Sequence, residues 1–247
     1  MFIIYNEAIE KAMREDPYIP TSNALTLTAT ADNSSVKLVK METVNNTYEV
    51  NTGSGWVPYK FDTVINLNKG QSCKWRCTSH PTTFNYETYV RFEMTGSIEA
   101  SGEVYSMLSS NLSDVTTLNG YDFAFKNLFR GCKSLTKAPQ LPATTLAPHC
   151  YDSLFAGCQS LTKAPELPAT TLAEGCYSQM FCICQSLKEV RIAATKTATD
   201  ALYLWLDFVS ATGDFYCDPN ATIFPTDSRS GIPEGWTRHN IADYPTT

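Results

Sequence analysis

The residues with chemistry to offer are nine cysteines, three histidines and a few closely spaced carboxylates. Thiolates and imidazoles in tight clusters hold zinc, neighbouring cysteines close disulfides, and carboxylate pairs cleave glycosidic bonds. The spacing fits none of these. Cys73 and Cys77 lie in QSCKWRCT, which reads as a strand; a rise of about 3.3 Å per residue sets their Cα atoms roughly 13 Å apart, too far for a disulfide. Cys182 and Cys184 meet the same difficulty if extended. No C-x-x-C knuckle is present, and His80, His149 and His239 have no ligand spacing. Glu87 with Glu93, and Asp214 with Asp218, are carboxylate pairs that nothing in the sequence positions. The motifs G-x-S-x-G, H-E-x-x-H and G-x-x-x-x-G-K are missing. His149, the best-placed base, gives way to Gly175 at the equivalent position 26 residues on. The sequence therefore predicts no catalytic residue, no metal and no cofactor.

The elements that would have to position any site come from a chain of 247 residues, 43% hydrophobic and 18% charged, enough apolar content to exclude disorder. No apolar run approaches the roughly 18 residues that cross a bilayer. The opening Met1 to Tyr5 leads into Asn6, Glu7 and Glu10 instead of a basic region and an apolar stretch, which predicts a chain made in the cytosol without an export signal. Net charge is -4 over residues 1–126, +3 over 127–198 and -5 over 199–247. No basic stripe tracks phosphates, so nucleic acid is not an expected partner.

Self-similarity organises the second half. Residues 127–152, NLFRGCKSLTKAPQLPATTLAPHCYD, align without gaps on 153–178, SLFAGCQSLTKAPELPATTLAEGCYS, with 19 of 26 positions identical. Residues 179–204 continue the register with seven identities to the second copy, among them Phe181, Cys184, Leu187 and Tyr203. The period of 26 explains most of the cysteines. Cys132, Cys158 and Cys184 share one position, Cys150 and Cys176 another, and both read as reduced packing ladders beside those of Phe129, Phe155, Phe181 and Leu135, Leu161, Leu187. In each unit HCYDSLFAGC or GCYSQMFCIC has apolar residues at helical spacing, and SLTKAP is extended and stopped by proline. One helix and one strand per unit are expected, stacked so that neighbours bury each other's apolar faces.

The pattern LFxGCxSLTKAPxLPATTLA resembles leucine-rich repeats of the Bacteroides and treponeme surface-antigen type, over about residues 104–240. The segment GDFYCDPNATIFPTDSRSGIPEGW resembles the C-terminal cap of such arrays in proteins of gut Bacteroidales and their tailed phages. The resemblance implies a leucine-rich-repeat solenoid. It also implies a structural protein of a phage particle, as head fibre, decoration or tail-associated subunit, or alternatively a bacterial cell-surface adhesin or antigen.

Residues 24–108 alternate polar and apolar positions in short runs, ALTLTAT, SVKLVKM, TVINL, CKWRCT and TYVRFEMTG, separated by turn-rich breaks, which predicts an antiparallel β-sandwich or barrel, the sandwich being the expected form. Before it, Asn6 caps a predicted helix over Glu7 to Glu15. A helix that short is marginal alone and must dock, on its own sandwich or in a larger assembly; in the second case Ile4, Tyr5, Ile9, Ala12 and Met13 form the expected assembly anchor to other virion proteins. The predicted fold class is mixed: docking helix and linker over 1–22, β-sandwich module over 23–108, leucine-rich-repeat solenoid of period 26 over 109–204, and C-terminal cap over 205–247.

Binding is the function a repeat surface favours, because equivalent residues recur on every unit. Thr136, Thr162 and Lys188, with Lys137, Lys163 and Glu189, form one row, and Tyr151, Tyr177 and Tyr203 another. Lysine and tyrosine together suit sugar rings or acidic glycans, set against core packing of the tyrosines and a solvated lysine face. The expected protein is thus a non-catalytic virion-surface component that binds a host-surface glycan or protein and forms symmetric homo-oligomers, trimers among them.

Overall fold

The computed structural model describes residues 23–41, 44–79, 85–108, 116–226 and 229–244. The predicted docking helix and the anchor residues Ile4, Tyr5, Ile9, Ala12 and Met13 lie outside them, as does His80. Among the described residues no helix is long and apolar enough to cross a membrane.

Strands β1 (Leu25–Ala29), β2 (Ser34–Lys40), β3 (Tyr48–Asn51), β4 (Val57–Pro58), β5 (Ile65–Leu67), β6 (Ser72–Cys77), β7 (Val90–Thr95) and β8 (Ile98–Ser101) come from the alternating first half. Their burial alternates as the pattern requires, with Leu25, Leu27, Val36, Leu38, Cys73, Trp75 and Phe92 facing inward. A six-stranded sheet runs β4-β3-β6-β1-β8-β9, where β9 is Leu135–Lys137 of the first repeat, and a three-stranded sheet runs β5-β2-β7. Trp75 of β6 meets Phe92 of β7 edge-on at 5.1 Å, so the two sheets face each other across a shared apolar layer, a β-rich arrangement consistent with a sandwich.

The second half departs from the predicted mixed class and from the leucine-rich-repeat solenoid. Among the described residues there is no α-helix, only 3-10 turns at Val104–Met107 and Ile241–Asp243. The segments expected to be helical, HCYDSLFAGC and GCYSQMFCIC, fall on continuous runs of turns at residues 148–157 and 174–183, and the same runs recur at 122–131 and 199–208. In the first run the N–H groups of Lys126, Leu128, Arg130 and Cys132 bond three residues back, and those of Phe123, Phe125, Asn127, Phe129 and Gly131 bond carbonyls of the next repeat at 2.7 to 3.0 Å. Alternate amides thus serve the turn and the neighbouring rung, a complete accounting without α-helical bonds. Every fourth residue has positive φ: Phe123, Asn127 and Gly131, then His149, Ser153 and Gly157, then Gly175, Gln179 and Ile183, then Asp200, Leu204 and Phe208. This four-residue turn spacing buries Phe125, Leu128, Phe129 and Cys132 at the intervals an α-helix would use, which is why periodicity alone suggested one.

No continuous sheet closes the repeats into a solenoid. β9 pairs in parallel with β8 and belongs to the first module's sheet. Among the described residues the second repeat contributes only isolated bridges toward the third, at Lys163 with Glu189, Leu167 with Ile192 and Thr171 with Lys196. Pro139, Pro142, Pro165 and Pro168, which lack donors, line a gap of about 270 Å³ between the first two strand segments. A separate sheet joins β10 (Glu189–Arg191), β11 (Gly213–Cys217) and β12 (Trp236–Asn240), all parallel.

Columns of aromatic rings carry one core through both halves. Phe92 stacks on Phe129 at 5.4 Å, Phe129 on Phe155 at 5.5 Å and Phe155 on Phe181 at 5.6 Å. At the far end Trp205, Phe215 and Phe224 pack together, and Trp205 Nε1 donates to the Gly231 carbonyl at 3.1 Å. Burying each such ring stabilises by roughly 1.5–3 kcal/mol.

Candidate functional site

Rung-to-rung stacking sets equivalent residues side by side. Tyr151 bonds from its N–H to the Cys176 carbonyl, whereas Tyr177 bonds to that of Ala201, so the last turn run begins one residue earlier than the 26-residue register places it. The structural column is therefore Lys126, Asp152, Ser178, Tyr203. It forms the floor of a cleft of about 460 Å³ with Asn127, Ser153 and Gln179 beside it, Arg130 and Asp200 on its lining, and Tyr86 and Tyr89 from the segment before β7 as its wall.

The floor is electrostatically organised. Lys126 Nζ lies 3.2 Å from Asp152 Oδ2, with side chains only 10% and 9% exposed. Such a pair persists where each charge satisfies the other and further bonds complete the set. Ser153 Oγ donates to Asp152 Oδ1 at 2.7 Å, and the Lys126 ammonium sits 4.1 Å from the Tyr86 ring centroid. The His149 ring lies parallel to Phe123 at 4.8 Å, with Nε2 3.1 Å from Tyr86 Oη and Nδ1 3.5 Å from Asp152 Oδ2. Partial burial, then the carboxylates of Asp152, Glu174 and Asp200, push the Tyr86 phenol up, so it keeps its proton. Serine, aspartate and histidine meet here in an order unlike a nucleophilic triad: the serine hydroxyl is bonded to the carboxylate, and the imidazole does not reach it. The Asn127 side-chain oxygen is buried with no partner among the described residues.

The two near-identical repeats differ at seven of 26 positions. Only two of those differences fall on buried positions of the first copy, Asn127 against Ser153 and Asp152 against Ser178, and all four residues line the cleft. The duplicated core is otherwise unchanged where it is buried. Arg130 against Ala156 and His149 against Gly175 are further differences whose first members face the same space.

The residues expected from the sequence fall in three places. Tyr203, 41% exposed, lines the cleft. Tyr151 and Tyr177 do not join it: both are 1% exposed and stack on each other at 6.0 Å in a core column. Thr136, Lys137, Thr162, Lys163 and Lys188 lie on the strand segments, outside the cleft. Thr136 donates to the Ile98 carbonyl at 3.0 Å, and Lys163 is held by Glu189 at 2.9 Å and by the Tyr244 ring at 4.9 Å. Lys137, Thr162 and Lys188 are exposed. Sequence reasoning missed Lys126, Asn127, Asp152, Ser153, Ser178 and Gln179; the mismatches between the two copies were the signal available. Among the described residues no group of three or more His, Cys, Asp or Glu residues is placed to hold a metal.

No protein-family model, curated protein or solved structure matches this chain.

Proposed function

We propose that this protein is a non-catalytic recognition subunit that holds a host-surface molecule in the cleft floored by Lys126, Asp152, Ser178 and Tyr203. The observation that carries this reading is the concentration of buried differences between the two copies at that cleft. A duplicated unit under packing constraint alone keeps its buried residues, because core changes destabilise; change confined to one recess points to a ligand there. The setting we propose is a phage particle, as head fibre, decoration or tail-associated subunit, supported by the likeness of the repeats and closing segment to proteins of gut Bacteroidales and their phages.

Quantitative mass spectrometry of purified particles and of washed host outer membranes from one culture tests the setting. A fixed copy number per particle is expected. Enrichment in outer membranes with none in particles would overturn the phage assignment in favour of a bacterial surface adhesin.

A further inference from the structure

We infer that the cleft takes a neutral, hydroxyl-rich sugar ring, with the Tyr203 face as its platform and Asp152, Lys126, Asn127 and Gln179 as its polar partners. This rests on the reading of the cleft as a recognition site and adds the class of molecule recognised.

The lining decides the class. Its cations and carboxylates are matched: Lys126 is paired with Asp152 in the floor, and Arg130 and Asp200 bring one charge of each sign. The formal charges of the lining sum to zero, so a strongly charged molecule gains no net attraction there. What remains are groups that both give and take hydrogen bonds, the amides of Asn127 and Gln179 and the hydroxyls of Ser153, Ser178 and the tyrosines. Such groups suit hydroxyls, which are themselves donors and acceptors. The buried Asn127 oxygen has no partner among the described residues, a loss that turning the amide onto a sugar hydroxyl would recover. Tyr203 is 41% exposed and stacks on no other ring among the described residues, leaving an aromatic face for the C–H side of a pyranose. The volume of about 460 Å³ falls in the range of small-molecule sites, about 300–1,000 Å³.

An extended peptide fits poorly. Strand-like recognition needs an edge with free N–H and C=O groups. The floor of this cleft is built from turn runs whose alternate amides and carbonyls are already used between rungs, as from Asn127 to Asp152 and Ser153 to Ser178.

The test is ligand-observed saturation-transfer NMR on the full chain, with maltotriose, mannotriose and lactose as neutral probes and 3′-sialyllactose as the anionic one. Saturation of at least one neutral probe is expected, weakened tenfold or more by Tyr203→Ala, an exposed site whose change leaves the core intact, and by Gln179→Ala. Transfer to 3′-sialyllactose alone, transfer to none of the probes, or neutral binding unchanged by Tyr203→Ala would overturn the inference. Host-cell attachment separates this from failure of the underlying reading. If Tyr203→Ala abolishes attachment while no neutral probe binds, the sugar class is wrong and the site stands; if attachment is unchanged, the site itself is wrong.

Discussion

The thiol of Cys158 donates to the main-chain carbonyl of Phe129, one repeat earlier, at 3.1 Å. Cys184 does the same to Phe155, and Cys132 to Phe92 of the first module, each at 3.1 Å. The cysteine column therefore ties each rung to the last, and its first tie reaches across from the repeats to β7. A hydroxyl at this position would be held closer to the main chain by its shorter bond, and alanine would leave the buried carbonyl without this donor. Cys158→Ala is expected to destabilise by about 1–3 kcal/mol, from a lost buried bond and a small void. Equilibrium urea unfolding measures it; an unchanged midpoint would show that the thiol is only filler.

Those thiols also predict a pH dependence. Burial pushes Cys73, Cys176 and Cys184 up to about 12, and Cys132 and Cys158 upward as well. An unfolded thiol ionises near 8.5. Below that value both states hold the proton and the neutral-thiol contribution is fully present. As pH rises from about 8.5 toward 12, the unfolded chain loses protons that the native chain keeps, so stability falls. Denaturation midpoints measured from pH 7 to 10.5 are expected to decline, and the decline should shrink in Cys73→Ala/Cys176→Ala. A flat profile would contradict the assignment of these cysteines as buried neutral donors.

The pair in the cleft floor makes a separable prediction. Removing one charge, as in Lys126→Met or Asp152→Asn, is expected to destabilise by about 3–5 kcal/mol because the other is left buried and uncompensated. The double substitution is expected to cost less than the two singles combined. A thermal-unfolding double-mutant cycle reads the coupling, and simple additivity would mean that the two groups do not depend on each other.

At the outer corner of the turn runs, Gly131 and Gly157 are followed in the column by Ile183 and Phe208, all with positive φ. The left-handed conformation costs a non-glycine residue roughly 1–2 kcal/mol, and Phe208 is 70% exposed, so little burial offsets it. Phe208→Gly should therefore stabilise by about 0.5–1 kcal/mol after the extra chain entropy of glycine. Calorimetry that shows a lower melting temperature would mean the phenylalanine side chain holds something at that corner.

Much of this architecture was legible in the residues. Alternation in runs such as SVKLVKM and CKWRCT placed the strands of the first half, and the 26-residue period placed Phe129, Phe155 and Phe181 in one column. Three things were not legible. Turn runs that repeat every four residues bury the same positions as a helix, and only the recurring positive φ, visible in sequence solely at Gly131, Gly157 and Gly175, distinguishes them. Tyr203 was read as the successor of Tyr177, but the last run begins one residue early in the register, which makes it the successor of Ser178 and turns it outward. The cleft depends on Tyr86 and Tyr89 meeting residues from four separate turn runs, a juxtaposition no local pattern encodes.

The central claim is that the cleft floored by Lys126, Asp152, Ser178 and Tyr203 is where this protein meets its host. Attachment of the fluorescently labelled full chain to host cells, wild type against Tyr203→Ala and against Lys137→Ala/Lys188→Ala on the strand face, tests it most directly. Loss of attachment for Tyr203→Ala, with the lysine variant binding as wild type, is the predicted result. Full attachment by Tyr203→Ala, or loss only in the lysine variant, would contradict the account and move recognition to the strand segments.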